Sequence, residues 1–147
     1  MRELYLRYNR RQYNELLGEK MATGFPFATG DILTASAANG LVAFTLNDQT
    51  GTSYTPVLTD QYQVLITRSN ASASTLTIPT NASVAFPVGT VITVLNKGAG
   101  AVTISGAGGV TVLSAGATAA SPVLNQYKSC ALIQTSANNW YVVGAIA

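Results

Sequence analysis

The feature that most constrains the fold is a series of short runs in which β-forming residues alternate with polar ones. The run Ser74–Ile78 alternates strictly, which predicts Leu76 and Ile78 on a buried face and the two threonines between and beside them outside. Similar runs, separated by residues that favour turns, occupy residues 41–46, 62–68, 91–95, 101–105, 110–113, 127–135 and 140–146. About eight short strands with turns roughly every 8–12 residues predict an all-β fold, either an antiparallel β-sandwich or a small barrel.

The sequence also predicts one turn and bears on the overall architecture. Asn47 and Asp48 are residue types that favour turns, so a turn is predicted there, after the first run. The low-complexity segments at residues 106–109 and 114–121 do not repeat with a fixed period, which argues against a solenoid.

The first residues differ from the rest of the chain. Residues 1–24 are aromatic and basic at their start, and apolar side chains there recur at three- and four-residue spacings typical of one helical face. An isolated helix of this length is marginal, so it is expected to order only by packing on a partner. The sequence therefore predicts a partly helical N-terminal arm (1–24) that anchors the protein, and an oligomerising β domain (25–147).

Charge is scarce in the β domain. Charged residues make up 10% of the chain, and many of them lie in the arm. Residues 21–147 contain three cations and three anions, so they are formally neutral: Arg68, Lys97 and Lys128, with Asp31, Asp48 and Asp60. A free monomer usually keeps mixed surface charges for solubility. Burial against copies of itself or within a larger assembly is therefore predicted, and a monomer solubilised by hydroxyls and amides is the alternative.

Residue types that usually support catalysis and metal binding are rare. The chain has no histidine, which removes the usual general base and the commonest metal ligand. The single cysteine, Cys130, lies in an apolar run and is expected to be a buried free thiol. The three aspartates are expected to cap turns through their own backbone. We therefore predict no enzyme activity and no cofactor or metal, with a depolymerase using Asp48 or Asp60 as the alternative.

No apolar run approaches the length of a membrane span, and no secretory signal is present. The protein is thus expected to be made in the cytoplasm, with no membrane partner.

The arm combines tyrosine and arginine, which are enriched in protein-interface hot spots. Glutamates in the same arm and the absence of net charge in the β domain argue against nucleic-acid binding. Nucleic-acid binding and a solvated arm are the alternatives. The residues predicted to dock on a capsid or other partner are Tyr5, Arg7, Tyr8, Arg10, Arg11, Tyr13, Leu16 and Leu17.

From about Thr52 to Ile146 the sequence resembles a domain of fibre, spike and decoration proteins of tailed bacteriophages. The segments that carry the resemblance are Thr52–Thr55, Leu58–Asp60, Ser74–Pro79, Phe86–Thr90, Gly98–Ile104, Gly109–Val112 and Asn139–Gly144. The resemblance implies a β-structured homotrimer on the outer surface of a virion, made in the host cytoplasm. Because this chain has no extended shaft, a capsid decoration (cement) protein or head fibre that grips the major capsid protein or another virion protein is expected.

The alternative is a receptor- or carbohydrate-binding module of a tail fibre or spike. Aromatic rings can stack on sugars of a host surface glycan, although an aromatic residue that closes a β-strand more often lies in the core. The candidates for ligand stacking are Tyr62, Tyr127, Trp140 and Tyr141.

Overall fold

The computed structural model describes residues 44–114 and 121–147. The chain divides into two units, residues 1–43 and Phe44–Ala147, and the second contains every described residue. The predicted arm, its helix and the predicted boundary at residue 24 lie outside the described residues. Within them, the predicted all-β fold is confirmed, since the elements are strands and one 3-10 turn at Leu58–Asp60.

Ten strands are present in the described ranges. They are β1 (Thr45–Gln49), β2 (Ser53–Tyr54), β3 (Val64–Arg68), β4 (Ser74–Ile78), β5 (Val91–Asn96), β6 (Val102–Gly106), β7 (Thr111–Ser114), β8 (Val123–Leu124), β9 (Ser129–Ser136) and β10 (Asn139–Gly144). The predicted turn at Asn47–Asp48 is wrong, because both residues lie inside β1.

The strands form a six-stranded sheet, β1-β3-β5-β9-β10-β7, and a four-stranded sheet, β2-β4-β6-β8. The chain passes from one sheet to the other at every step from β1 to β9. Both sheets are mixed. Antiparallel pairing, as predicted, holds for three of the eight strand pairs and is wrong for the other five, which are parallel.

The first six strands are arranged as three stacked two-strand turns. The strands β1, β3 and β5 stack in parallel in one sheet, and β2, β4 and β6 do so in the other. The expectation against a solenoid is therefore corrected for this part of the chain. Register joins Thr45 to Val64 but Leu65 to Thr93, so consecutive turns differ in length and leave no fixed period in the sequence.

Both sheets contribute to one apolar core. Leu76 and Ile78 are 0% and 1% exposed, which confirms the inner face predicted for Ser74–Ile78. The ring of Trp140 meets the ring of Phe86 edge to face, with centroids 5.5 Å apart. Each fully buried aliphatic side chain contributes about 1.5–3 kcal/mol relative to exposure. The buried apolar residues are Ile66, Leu76, Ile78, Phe86, Ile92, Val94, Val102, Ile104, Val112, Leu124, Cys130, Leu132, Trp140 and Val142.

Where successive turns stack, their connecting segments lie very close together. The amide of Gly98 donates to the carbonyl of Arg68 at 3.0 Å, and the amide of Gly100 donates to that of Asn70 at 3.1 Å. A Cβ atom at Gly98 would overlap the carbonyl oxygen of Asn70, and one at Gly100 would overlap that of Ser72. Glycine is therefore required at both positions for the turns to stack.

Candidate functional site

The residues predicted to dock on a partner through the arm all lie outside the described residues. They are Tyr5, Arg7, Tyr8, Arg10, Arg11, Tyr13, Leu16 and Leu17.

The four aromatic residues predicted to stack on a ligand have different surroundings. Trp140 is 1% exposed and packs in the core, so it presents no ring face to a ligand. Its neighbours in β10 alternate between the two faces of the sheet, and its position falls on the inner one. Tyr62, Tyr127 and Tyr141 are 39%, 77% and 43% exposed.

The exposed tyrosines do not form one platform. Tyr62 precedes the start of β3, whereas the amide of Tyr127 donates to the carbonyl of Asn96 at the end of β5. Because β3 and β5 are parallel, these two tyrosines lie at opposite ends of the six-stranded sheet. Each of them has a positive φ, 56° for Tyr62 and 60° for Tyr127, which is uncommon for a bulky residue.

A cluster that we call the Asp48 clasp joins three strands on the outside of the six-stranded sheet. The carboxylate of Asp48 accepts hydrogen bonds from the hydroxyls of Thr67 and Ser69, both at 2.6 Å, and lies 3.2 Å from the Lys97 ammonium. The bond from Ser69 first, then those from Thr67 and Lys97, lower the pKa of Asp48 to about 2. Asp48 therefore binds neighbouring turns of the chain rather than its own backbone.

A second polar cluster lies on the inner side of β1. Asp60 is 2% exposed, and its carboxylate accepts hydrogen bonds from the Tyr54 hydroxyl at 2.6 Å, the Asn47 amide at 2.6 Å and the backbone N–H of Val57 at 2.8 Å. The bond from Val57 is the local cap that the sequence predicts for an aspartate at this point. Burial, together with the bond to Asp60, raises the pKa of Tyr54 to about 12.

Arg68 extends the polar interior next to this cluster, and its burial was not predicted from the sequence. The side chain is 0% exposed, and its Nη2 donates to the carbonyl of Gly51 at 2.8 Å. Its Nε and Nη1 have no hydrogen-bond partner among the described residues. Burial lowers the pKa of Arg68, and Tyr54 partly opposes that shift.

The two described aspartates do not face one another across a cleft. Asn47 and Asp48 are neighbours in β1, so their side chains point to opposite faces, and Asp60 is bound on the face of Asn47. Within the described ranges, no group of three or more acidic, cysteine or histidine side chains could hold a metal ion. Burial raises the pKa of the Cys130 thiol to about 12, and this thiol is 4% exposed.

The part of the chain that the structure describes contains no helix long and apolar enough to cross a membrane.

The Asp48 clasp and the cluster around Asp60 hold strands and turns together, which is a structural role.

The chain matches no family model, no curated protein and no solved structure.

Proposed function

We propose that this chain is a non-enzymatic structural protein of a tailed-phage virion, namely a capsid decoration (cement) or head-fibre protein. In this proposal a partly helical arm (1–24) binds the shell, and a sandwich-type β body assembles as a homotrimer on the outer surface of the virion. The partners are other copies of the chain and the major capsid protein or other virion proteins.

The observation that carries the proposal is the scarcity of exposed, unpaired charge in the β body. Of its charged side chains, Asp60 and Arg68 are buried, and Asp48 is paired with Lys97. Within the described ranges, Lys128 alone is both charged and exposed without an ion pair. A surface this poor in charge supports permanent packing against other proteins rather than a free monomer.

The arm supplies the second argument. Its cations alternate with tyrosines, whereas the β body has almost no free cations. Arginine and tyrosine bind well to a desolvated protein surface because they combine a large contact area with directional donors. This division between the two parts supports an adhesive arm and a projecting body.

The test is attachment of the purified full chain to shells of the phage that encodes it. The triple variant Tyr5→Ala, Tyr8→Ala and Arg11→Ala should bind at least about 100-fold more weakly, because hot-spot residues each contribute more than about 1 kcal/mol. The matched control is Asn9→Ala with Asn14→Ala, which alters the same arm outside the docking residues and should bind like the wild type. Unchanged attachment of the triple variant would remove the docking role of the arm.

A receptor- or carbohydrate-binding module is the second candidate, and the exposure of Tyr127 favours it. This ring is 77% exposed and stands on a backbone of positive φ, so a sugar could stack on it without displacing core residues. Binding to a glycan array that is lost in Tyr127→Ala, but kept in Val88→Ala at another exposed apolar position, would support this candidate. Absence of wild-type binding to glycans and host cells would count against it.

A further inference from the structure

The outer face of the six-stranded sheet carries two continuous rows of mainly apolar side chains. One row crosses five strands through directly paired residues, and the other crosses four strands beside it. The first row is Leu46, Leu65, Thr93, Ala131 and Val143. The second row is Val91, Ile133, Tyr141 and Leu113. We call these nine residues the outer face.

The inner residues between these positions confirm which way the outer face points. Ile92, Leu132 and Val142 alternate with outer-face residues in β5, β9 and β10, and each is at most 1% exposed in the core. Strand alternation therefore places the outer face on the opposite side of the sheet.

The residues of the outer face are exposed or partly exposed, and none of them is charged. Eleven large apolar side chains are exposed among the described residues, and five of them belong to this face. Those five are Leu46, Val91, Leu113, Tyr141 and Val143. Among the described residues, Asp48 and Lys97 lie beyond the first row on this side and neutralise one another in the Asp48 clasp.

The other sheet does not show this pattern. The outward positions of β4 and β6 carry hydroxyl side chains, namely Thr75, Thr77, Thr103 and Ser105. A solvated sheet face normally has such polar residues. The apolar character of the outer face is therefore specific to the six-stranded sheet rather than a general consequence of the charge-poor composition.

The size of the outer face suits a protein interface. The outer side of the whole six-stranded sheet, of which the outer face is the apolar part, has strands at about 4.8 Å spacing and about 17 Å long, which gives roughly 500 Å² per copy before side-chain relief is counted. Three copies that each bury this side of the sheet remove about 1,500 Å² in total, which is within the range of specific interfaces. The nine residues of the outer face, at about 4.8 Å between strands and about 6.7 Å between alternate residues, cover roughly 300 Å² of it.

We propose that the outer face binds other copies of this chain, so that the outer faces of three copies meet around a three-fold axis and each packs against its two neighbours. The inference deepens the proposed function, on which it rests, by naming the surface through which the copies associate. The occupants are copies of the same chain because uncharged apolar faces suit one another, and such faces meet around the axis without burying an unpaired charge. In the central strands of the sheet, backbone groups are already paired within the sheet, so the contact is made by side chains.

The first test places a charge on the outer face of the full-length protein, at one end of each row. Val143→Glu and Val91→Glu should each raise the dissociation constant of self-association at least about 100-fold, because an unpaired carboxylate would be buried in the contact. The matched control is Thr103→Glu, which adds the same charge at an outward strand position of the other sheet and should associate like the wild type. Masses come from light scattering at several protein concentrations, and circular dichroism checks that each variant is folded.

The second test does not depend on the variants' ability to tolerate a charge. Thr93→Cys places a thiol in the middle of the outer face, and Thr103→Cys places one on the other sheet. In concentrated protein a maleimide should label Thr93→Cys at least about tenfold more slowly than in protein diluted below the micromolar range, where the copies separate, because a packed interface excludes the reagent. Thr103→Cys should be labelled at the same rate at both concentrations, and buried Cys130 provides the background rate.

The outcomes separate this inference from the proposed function. In one outcome the wild type and the glutamate variants associate equally well, and Thr93→Cys labels at the same rate at all concentrations. The outer face is then not the contact, while the proposal that the chain self-associates stands. If Thr93→Cys is protected even in dilute monomer, residues of the same chain cover the face, and the proposal that copies meet there is overturned. Shell attachment through the arm is measured separately and stands or falls by its own assay.

Discussion

Arg68 and Asn96 lie directly opposite one another in adjacent parallel strands, and replacing them by apolar residues should have opposite effects on stability. Both are 0% exposed. Arg68 leaves two of its nitrogen donors without a partner among the described residues, whereas Asn96 uses both ends of its amide.

For Arg68→Met the free energy of unfolding should rise. Two unpaired buried donors cost about 1–3 kcal/mol each, and the lost bond to the Gly51 carbonyl was worth about 1.5–3 kcal/mol. Gly51 is exposed, so its carbonyl can bind water in the variant. Methionine fills irregular space without a charge, so the net expectation is a stabilisation of about 1–3 kcal/mol.

For Asn96→Leu the free energy of unfolding should fall. The Asn96 side chain donates to the carbonyls of Gly100 and Leu124 at 2.9 and 3.0 Å and accepts from the amide of Gly98 at 3.0 Å. Leucine has a similar shape but would leave these three buried backbone groups without that partner, so the loss should be about 3 kcal/mol or more.

Urea unfolding followed by the fluorescence of Trp140 measures both effects, since this is the one tryptophan of the chain and lies in the core. All variants are compared at the same protein concentration, because association shifts apparent stability. Destabilisation by Arg68→Met of more than about 1 kcal/mol would refute the reasoning, because it would mean that ordered water satisfies the buried guanidinium.

Three further predictions concern the stacked turns and the core. Gly98→Ala should destabilise the fold by at least about 2 kcal/mol, because a Cβ would overlap the Asn70 carbonyl, and an unchanged urea midpoint would contradict this. The Asp48 clasp should contribute stability above about pH 4, the ordinary range of an aspartate pKa, and lose it as the pH falls towards 2; Asp48→Asn should lack this acid-dependent part. Because Asp48 and Lys97 are about half exposed, the effect should stay below about 1 kcal/mol, and identical acid titrations of the two proteins would refute it. Cys130 should react with iodoacetamide at pH 8 only on unfolding, and rapid alkylation of the native protein would show that its thiol is not held in the core.

The strands whose polar and apolar residues alternate were predicted from the sequence. Features that depend on residues far along the chain were not. Ser74–Ile78 alternates so strictly that its bounds agree with β4. The two-residue strands β2 and β8 are too short to leave a pattern. Asn47 and Asp48 have turn-forming character, but partners far along the chain, Asp60 and Thr67, satisfy their side chains within a strand.

Strand direction could not be predicted from the residues. Parallel and antiparallel neighbours require the same alternation, so the choice depends on how the connections run between the two sheets. The unequal connections in the stacked turns also conceal their repetition.

The candidate site was predictable only in part. Charge scarcity indicated buried surface, but the rows of the outer face depend on register, which joins residues as distant as Leu46 and Val143 through three intervening strands. Trp140 was a candidate for ligand stacking because of its residue type, but its position in β10 places its ring in the core.

The central claim is that the charge-poor surface belongs to a protein that exists as an assembly. Light scattering of the full-length wild type over a dilution series tests it most directly. The proposal predicts a mass of three times 15.3 kDa that persists on dilution into the micromolar range. A mass of 15.3 kDa at every concentration would contradict it.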